Sequence, residues 1–158
     1  MKRGKVDLDM SLTRSTHDAL RSLASVEALA VLTSVHHLDE LGVILLGPAL
    51  LITILPLVLI WRWTRNLSRS LLWGYGIYLA LLILGFGLYD GFWNHTLKMT
   101  IFYLVGADRS LMAHAYPYFP PVGSIFHEVT GVLTFFVALY AAYLGFRFLA
   151  SNLNKARL

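Results

Sequence analysis

Residues 43–61 read VILLGPALLITILPLVLIW, a run with no charged residue and a single hydroxyl, Thr53. A bilayer core of about 30 Å takes about 20 helical residues to cross, so this stretch reads as a membrane helix. Pro48 and Pro56 lie inside it. A proline inside a helix leaves the carbonyl four residues earlier without its donor, which membrane helices tolerate where a neighbour re-satisfies it. A kink is therefore expected.

Two more runs match it in character, at about 71–93 and 125–149. A fourth, 19–41 (ALRSLASVEALAVLTSVHHLDEL), combines helix formers and the small residues Ala24, Ser25, Ala28 and Ala30 with Arg21 and Glu27. Small residues allow close helix packing in lipid. The alternative for this segment is an amphipathic helix on the membrane surface. Gly42 stands where a helix would end in a left-handed cap. Composition agrees with a lipid solvent: 57% of residues are hydrophobic and 14% charged, against about 25% charged in soluble domains. The basic start, Lys2, Arg3 and Lys5, is followed by Asp7, Asp9, Arg14 and Asp18. That leaves no apolar core for a cleaved signal, and no cleavage is expected.

Charge placement orients the chain. If residues 19–41 span, then Lys2, Arg3, Lys5, Arg14, Arg21, Arg62, Arg65, Arg69, Arg147, Lys155 and Arg157 share one side, and only Lys98 and Arg109 lie opposite. Positive residues stay inside, so both termini are expected in the cytoplasm. The expected fold is all-α: an integral-membrane antiparallel four-helix bundle forming one domain over 1–158. Its helices are expected near 19–41, 43–63, 71–93 and 124–149, with an outer loop at 94–123. Within that loop, residues 99–105 are apolar but too short to cross and are expected along the outer interface. The net charge of +4 thus reads as a topology signal and not as a nucleic-acid surface. A multi-pass protein of a prokaryotic cell membrane is expected.

This topology gathers the chemistry at one end. His36, His37, Asp39 and Glu40 close the first helix, Asp90, Asn94 and His95 close the third, and His127 and Glu128 open the fourth. His114 lies in the outer loop, and from Leu41 to Tyr89 there is neither an acidic residue nor a histidine. Ionisable groups at membrane depth are costly and suggest function by default. With no cysteine in the chain, thiolate and iron–sulfur sites are excluded. Imidazole with carboxylate suits copper(II), zinc or iron, and thioethers of Met99 and Met112 would suit copper(I). The candidate metal residues are His36, His37, Glu40, Asp90, His95, His127 and Glu128, the carboxylates acting as ligands or as groups that orient the imidazoles.

Each has a plainer reading. The His36-His37 pair could be interfacial, Asp90 could pair with Lys98, and Glu128 could serve a first helical turn opened by Ser124. Asp90 and His95, five apart, stand about 140° apart on an ideal α-helix, so they meet one ion only if the helix ends or bulges between them. Glu27, deep in the first helix, could bond a neighbouring helix, pair with Arg21 or join a proton path.

The stretch Gly85–His95 (GFGLYDGFWNH), followed by Ile125-Phe126-His127, resembles a family of small four-helix bacterial membrane proteins of unassigned function. There, Gly-Phe-x-Asp-Gly-x-x-x-His closes one helix and Leu-Phe-His opens the next. Asp90, Gly91, His95 and His127 fall on those positions. The resemblance covers the second half of the chain, and the family's further histidines are replaced here by Lys98 and Met99. A looser similarity, with different spacing, is to the Asp/His copper site in the membrane subunits of particulate methane and ammonia monooxygenases. The resemblance implies a metal site without a named reaction.

Three functions are thus in view. One is a transition-metal protein, copper favoured, in redox chemistry or metal delivery to a membrane oxidase or oxygenase. The second is a haem b protein. The third is a non-catalytic accessory subunit, the chain packing against other membrane subunits or its own copies.

Overall fold

The computed structural model describes residues 2–104 and 124–155, with side chains over 15–104 and 124–153. Among these residues every element is helical: α1 (Lys2–Leu41), a 3-10 turn (Gly42–Leu45), α2 (Leu46–Asn66), α3 (Arg69–Leu82), a π-helical run (Ile83–Leu97), α4 (Lys98–Leu104) and α5 (Ile125–Lys155). Three continuous helical stretches are long and apolar enough to cross a membrane: Ser15–Asn66, Arg69–Leu104 and Ile125–Leu153.

The first stretch turns at Gly42, whose φ of +74° is a conformation glycine adopts without steric cost. Beyond the turn the chain runs back along α1. Leu20 and Leu23 share a surface hollow with Leu57, Ile60 and Trp61, while Leu41 and Thr33 face Leu45 and Ala49 near the turn. Pro56 behaves as its chemistry requires. The carbonyl it strips of a donor is that of Ile52, and the Tyr78 hydroxyl of α3 donates to that oxygen.

The π-helical run packs closely on α5. A Cβ on Gly91 would stand 2.6 Å from the Phe135 backbone nitrogen and 3.0 Å from the Gly131 carbonyl oxygen, and one on Gly131 would collide with the His95 ring. Small residues at this crossing bring the two backbones into near contact. The core below it is apolar, built on Val26, Leu29, Ile60, Trp63, Tyr75 and Phe148. Phe148 meets the rings of Trp63 and Tyr75 edge-on. The outward faces are apolar too. Along α5, Val129, Leu133, Phe136, Tyr140 and Tyr143 form an exposed stripe, which matches a lipid solvent and would be a liability in water.

Several boundaries differ from expectation. The helix expected at 19–41 begins at Lys2, and the one expected to end at 149 continues to Lys155. The helix expected to close at 93 runs on to Leu104, so residues 94–104 are not loop and most of 99–105 continues a helix. The cause is local. The i→i+5 bonding carries on past His95, with the Thr96 hydroxyl on the Gly91 carbonyl, and Lys98 is buried against α5 instead of facing water.

Candidate metal centre

The π-helical run decides the geometry. Wider turns with i→i+5 bonds bring residues five apart onto one face, and such segments are rare and frequently lie at functional sites. Asp90 and His95, about 140° apart on an α-helix, here stand on one face, with Asp90 Oδ1 3.5 Å from His95 Nε2. The bulge required of this helix is thus present. Asn94 fixes the carboxylate by donating its amide to Oδ1 at 3.1 Å.

Three helices meet at this point. α1 supplies His36 and His37, the π-helical run supplies Asp90 and His95, and α5 supplies His127. The His36 ring stacks on His127 at 4.1 Å between centroids and meets His95 edge-on at 4.7 Å. His36 and His95 are almost fully buried and His127 is 7% exposed. Ser124 caps α5 through the His127 backbone N–H at 3.1 Å, so the helix that carries His127 begins where the site needs it.

Partners on the far side of each ring fix which nitrogen faces inward. The Glu128 carboxylate, an acceptor, lies 2.9 Å from His95 Nδ1, so that nitrogen donates. The Thr130 hydroxyl spends its proton on the Phe126 and His127 carbonyls, and so accepts from His36 Nδ1 at 2.9 Å. The Thr33 carbonyl accepts from His37 Nδ1 at 3.0 Å. The Nε2 atoms of all three imidazoles face Asp90: His36 and His37 stand 3.6 and 3.7 Å from Oδ2, and His95 3.5 Å from Oδ1. Outer partners of this kind hold ligating histidines in one tautomer.

The result is a cluster of buried polar atoms that lack hydrogen-bond partners. Buried His36 Nε2, His95 Nε2, His127 Nδ1 and Asp90 Oδ2 have no hydrogen-bond partner among the described residues. Each such group costs about 1–3 kcal/mol if left so. Four donors bonded at about 2.0–2.1 Å around a tetrahedral ion lie about 3.4 Å from one another, close to the spacings found here. One imidazole-nitrogen set, His36, His95 and His127, and a second set, His36, His37 and Asp90, each lie within 4.8 Å of one another.

Two candidates take other places. Glu128 has its oxygens on His95 Nδ1 and, at 3.4 Å, on Lys98 Nζ, so it orients the His95 ring instead of facing the centre. Lys98 thereby pairs with Glu128, where the sequence offered Asp90 as its partner. Glu40 stands on the rim, 38% exposed, with Oε2 3.9 Å from His127 Nε2. Thr130 escaped sequence reasoning, although its place three residues after His127 was the available signal. His114 and Met112 lie outside the described residues. Glu27 stays apart from the centre in α1, its Oε1 buried without a hydrogen-bond partner among the described residues.

Compared with protein-family models, curated proteins and solved structures, the chain matches none of them.

Proposed function

We propose that this chain is a four-span membrane protein, both termini cytoplasmic, that binds a transition metal near the outer face for redox chemistry or for delivery to a membrane oxidase or oxygenase. The four-span count rests on the first helical stretch. Its 52 residues would measure about 78 Å if straight, more than twice a bilayer core of about 30 Å, and it doubles back at Gly42. The orientation rests on the eleven-to-two division of basic residues and the preference of such residues for the inside.

The observation that carries the metal reading is the convergence of unsatisfied lone pairs. His36, His95 and His127, with Asp90 and His37 beside them, would hold the ion, while Glu128 and Thr130 set the imidazoles. Copper is favoured because imidazole and carboxylate sites bind it most tightly among the divalent first-row ions. Bound copper supplies one-electron chemistry. The protein's own part is to fix the tautomers, keep the donors dry, and leave a rim at Glu40 and His37. Haem b fits less well: rings stacked at 4.1 Å and crossed at 4.7 and 4.8 Å fill the slot a porphyrin plane needs between two axial imidazoles.

Elemental analysis with an absorption spectrum on detergent-purified protein tests this reading. Stoichiometric metal without a Soret band is expected, lost when His36, His95 and His127 are replaced together. A Soret band, or metal content unaffected by that triple substitution, would overturn it and leave the accessory-subunit role.

A further inference from the structure

The donor set is larger than one tetrahedral ion requires, and it is divided. His36, His95 and His127 form one group within 4.8 Å, and His36, His37 and Asp90 form another. Asp90 faces both ways. Its Oδ1 lies 3.5 Å from His95 Nε2, while Oδ2 lies 3.6 Å from His36 Nε2 and 3.7 Å from His37 Nε2. With their Nδ1 atoms engaged by Thr130, Thr33 and Glu128, His36, His37 and His95 each have a single lone pair to give. His36 can therefore serve only one ion.

We propose that the site holds two ions bridged by the Asp90 carboxylate, a deepening that rests on the metal reading above. One ion takes His36 Nε2, His37 Nε2 and Asp90 Oδ2. The other would take His95 Nε2 and Asp90 Oδ1, 3.5 Å apart, with Asn94 steadying that oxygen at 3.1 Å, and His127, which is grouped with His95, as its third donor. Three protein donors per ion leave an open position on each, as catalytic sites do and closed structural sites do not. Paired ions about 3.5–4 Å apart act jointly on one bound molecule, and a carboxylate with its two oxygens turned to different imidazoles is suited to span that gap. The ligand class implied is a small molecule with an oxygen able to bridge two metals.

The test is copper(II) titration of the full-length, metal-stripped protein in detergent, read by elemental analysis and electron paramagnetic resonance, with zinc as a count that does not depend on spin. Wild type is expected to retain two equivalents of either metal, with the copper signal attenuated by coupling. His37→Ala, on the rim with its side chain 23% exposed, is expected to retain one equivalent and show a full isolated copper(II) signal. The near-isosteric Asp90→Asn guards against a folding effect and is expected to restore the isolated signal. One equivalent in wild type, unchanged in His37→Ala and uncoupled throughout, would overturn the pair and leave a single-ion site. Retention of neither copper nor zinc by folded protein would overturn the metal reading itself.

Discussion

The two ends of this bundle treat buried polar groups in opposite ways. At the end that holds Trp63 and Phe148, polar side chains close on one another, with buried Glu27 Oε1 the exception among the described residues. The Ser15 hydroxyl donates to the Asn152 amide oxygen at 2.6 Å, and the Asn152 amide donates to the Phe148 carbonyl at 2.8 Å. Higher in the same half, Ser22 and Tyr75 share a hydrogen bond of 2.8 Å. At the other end, His36, His95, His127 and Asp90 keep unsatisfied atoms turned inward. Evolution can remove such a defect with an apolar residue of similar shape. Its persistence in four residues from three helices is what supports the proposed cation. On that proposal, one half of the molecule packs and the other binds.

This contrast predicts that stability and metal binding separate by region. The largest stability loss should come from Phe148→Ala, which empties the junction of Trp63 and Tyr75 rings. About 3–5 kcal/mol is expected, read as a fall in the thermal midpoint in detergent, with metal stoichiometry intact in the protein that stays folded. Gly131→Ala should cross the divide, because the new methyl strikes the His95 ring. Overpacking of about 1–3 kcal/mol and lost metal are expected together. Intact metal in that variant would break the link between the α5 crossing and the centre.

Thr130→Val keeps the shape but removes the acceptor that holds His36 Nδ1. Metal affinity should fall about 10–100-fold by competition titration, with a loss of about 1–3 kcal/mol in the apo protein from the orphaned His36 N–H. Ser22→Ala is the mirror case and the smallest effect. The Tyr75 hydroxyl loses its partner at a cost of about 1 kcal/mol, and metal affinity should not change. A change in metal affinity here would mean that the two halves are coupled.

How much of this was legible in the chain depends on whether the signal is local. The apolar runs declare themselves through composition, and the turn at Gly42 through the one residue that adopts its φ freely. The gathering of histidines at one end follows from helix order alone. The π-helical run does not announce itself, because no residue type demands i→i+5 bonding; it is a tertiary result of seating Gly91 against α5. For the same reason, the end of the third stretch at 104, the pairing of Lys98 with Glu128 and the accepting role of Thr130 were not visible. Each depends on which groups meet across helices, and spacing along one helix carries no record of that.

X-ray absorption at the metal edge of the copper-loaded protein tests the central claim most directly, since it reports the ligands themselves. Nitrogen and oxygen scatterers near 2.0 Å, the multiple-scattering pattern of at least two imidazoles, no sulfur shell, and loss of imidazole scattering in His95→Ala are expected. A sulfur-dominated shell, or a spectrum without imidazole that His95→Ala leaves unchanged, would contradict it.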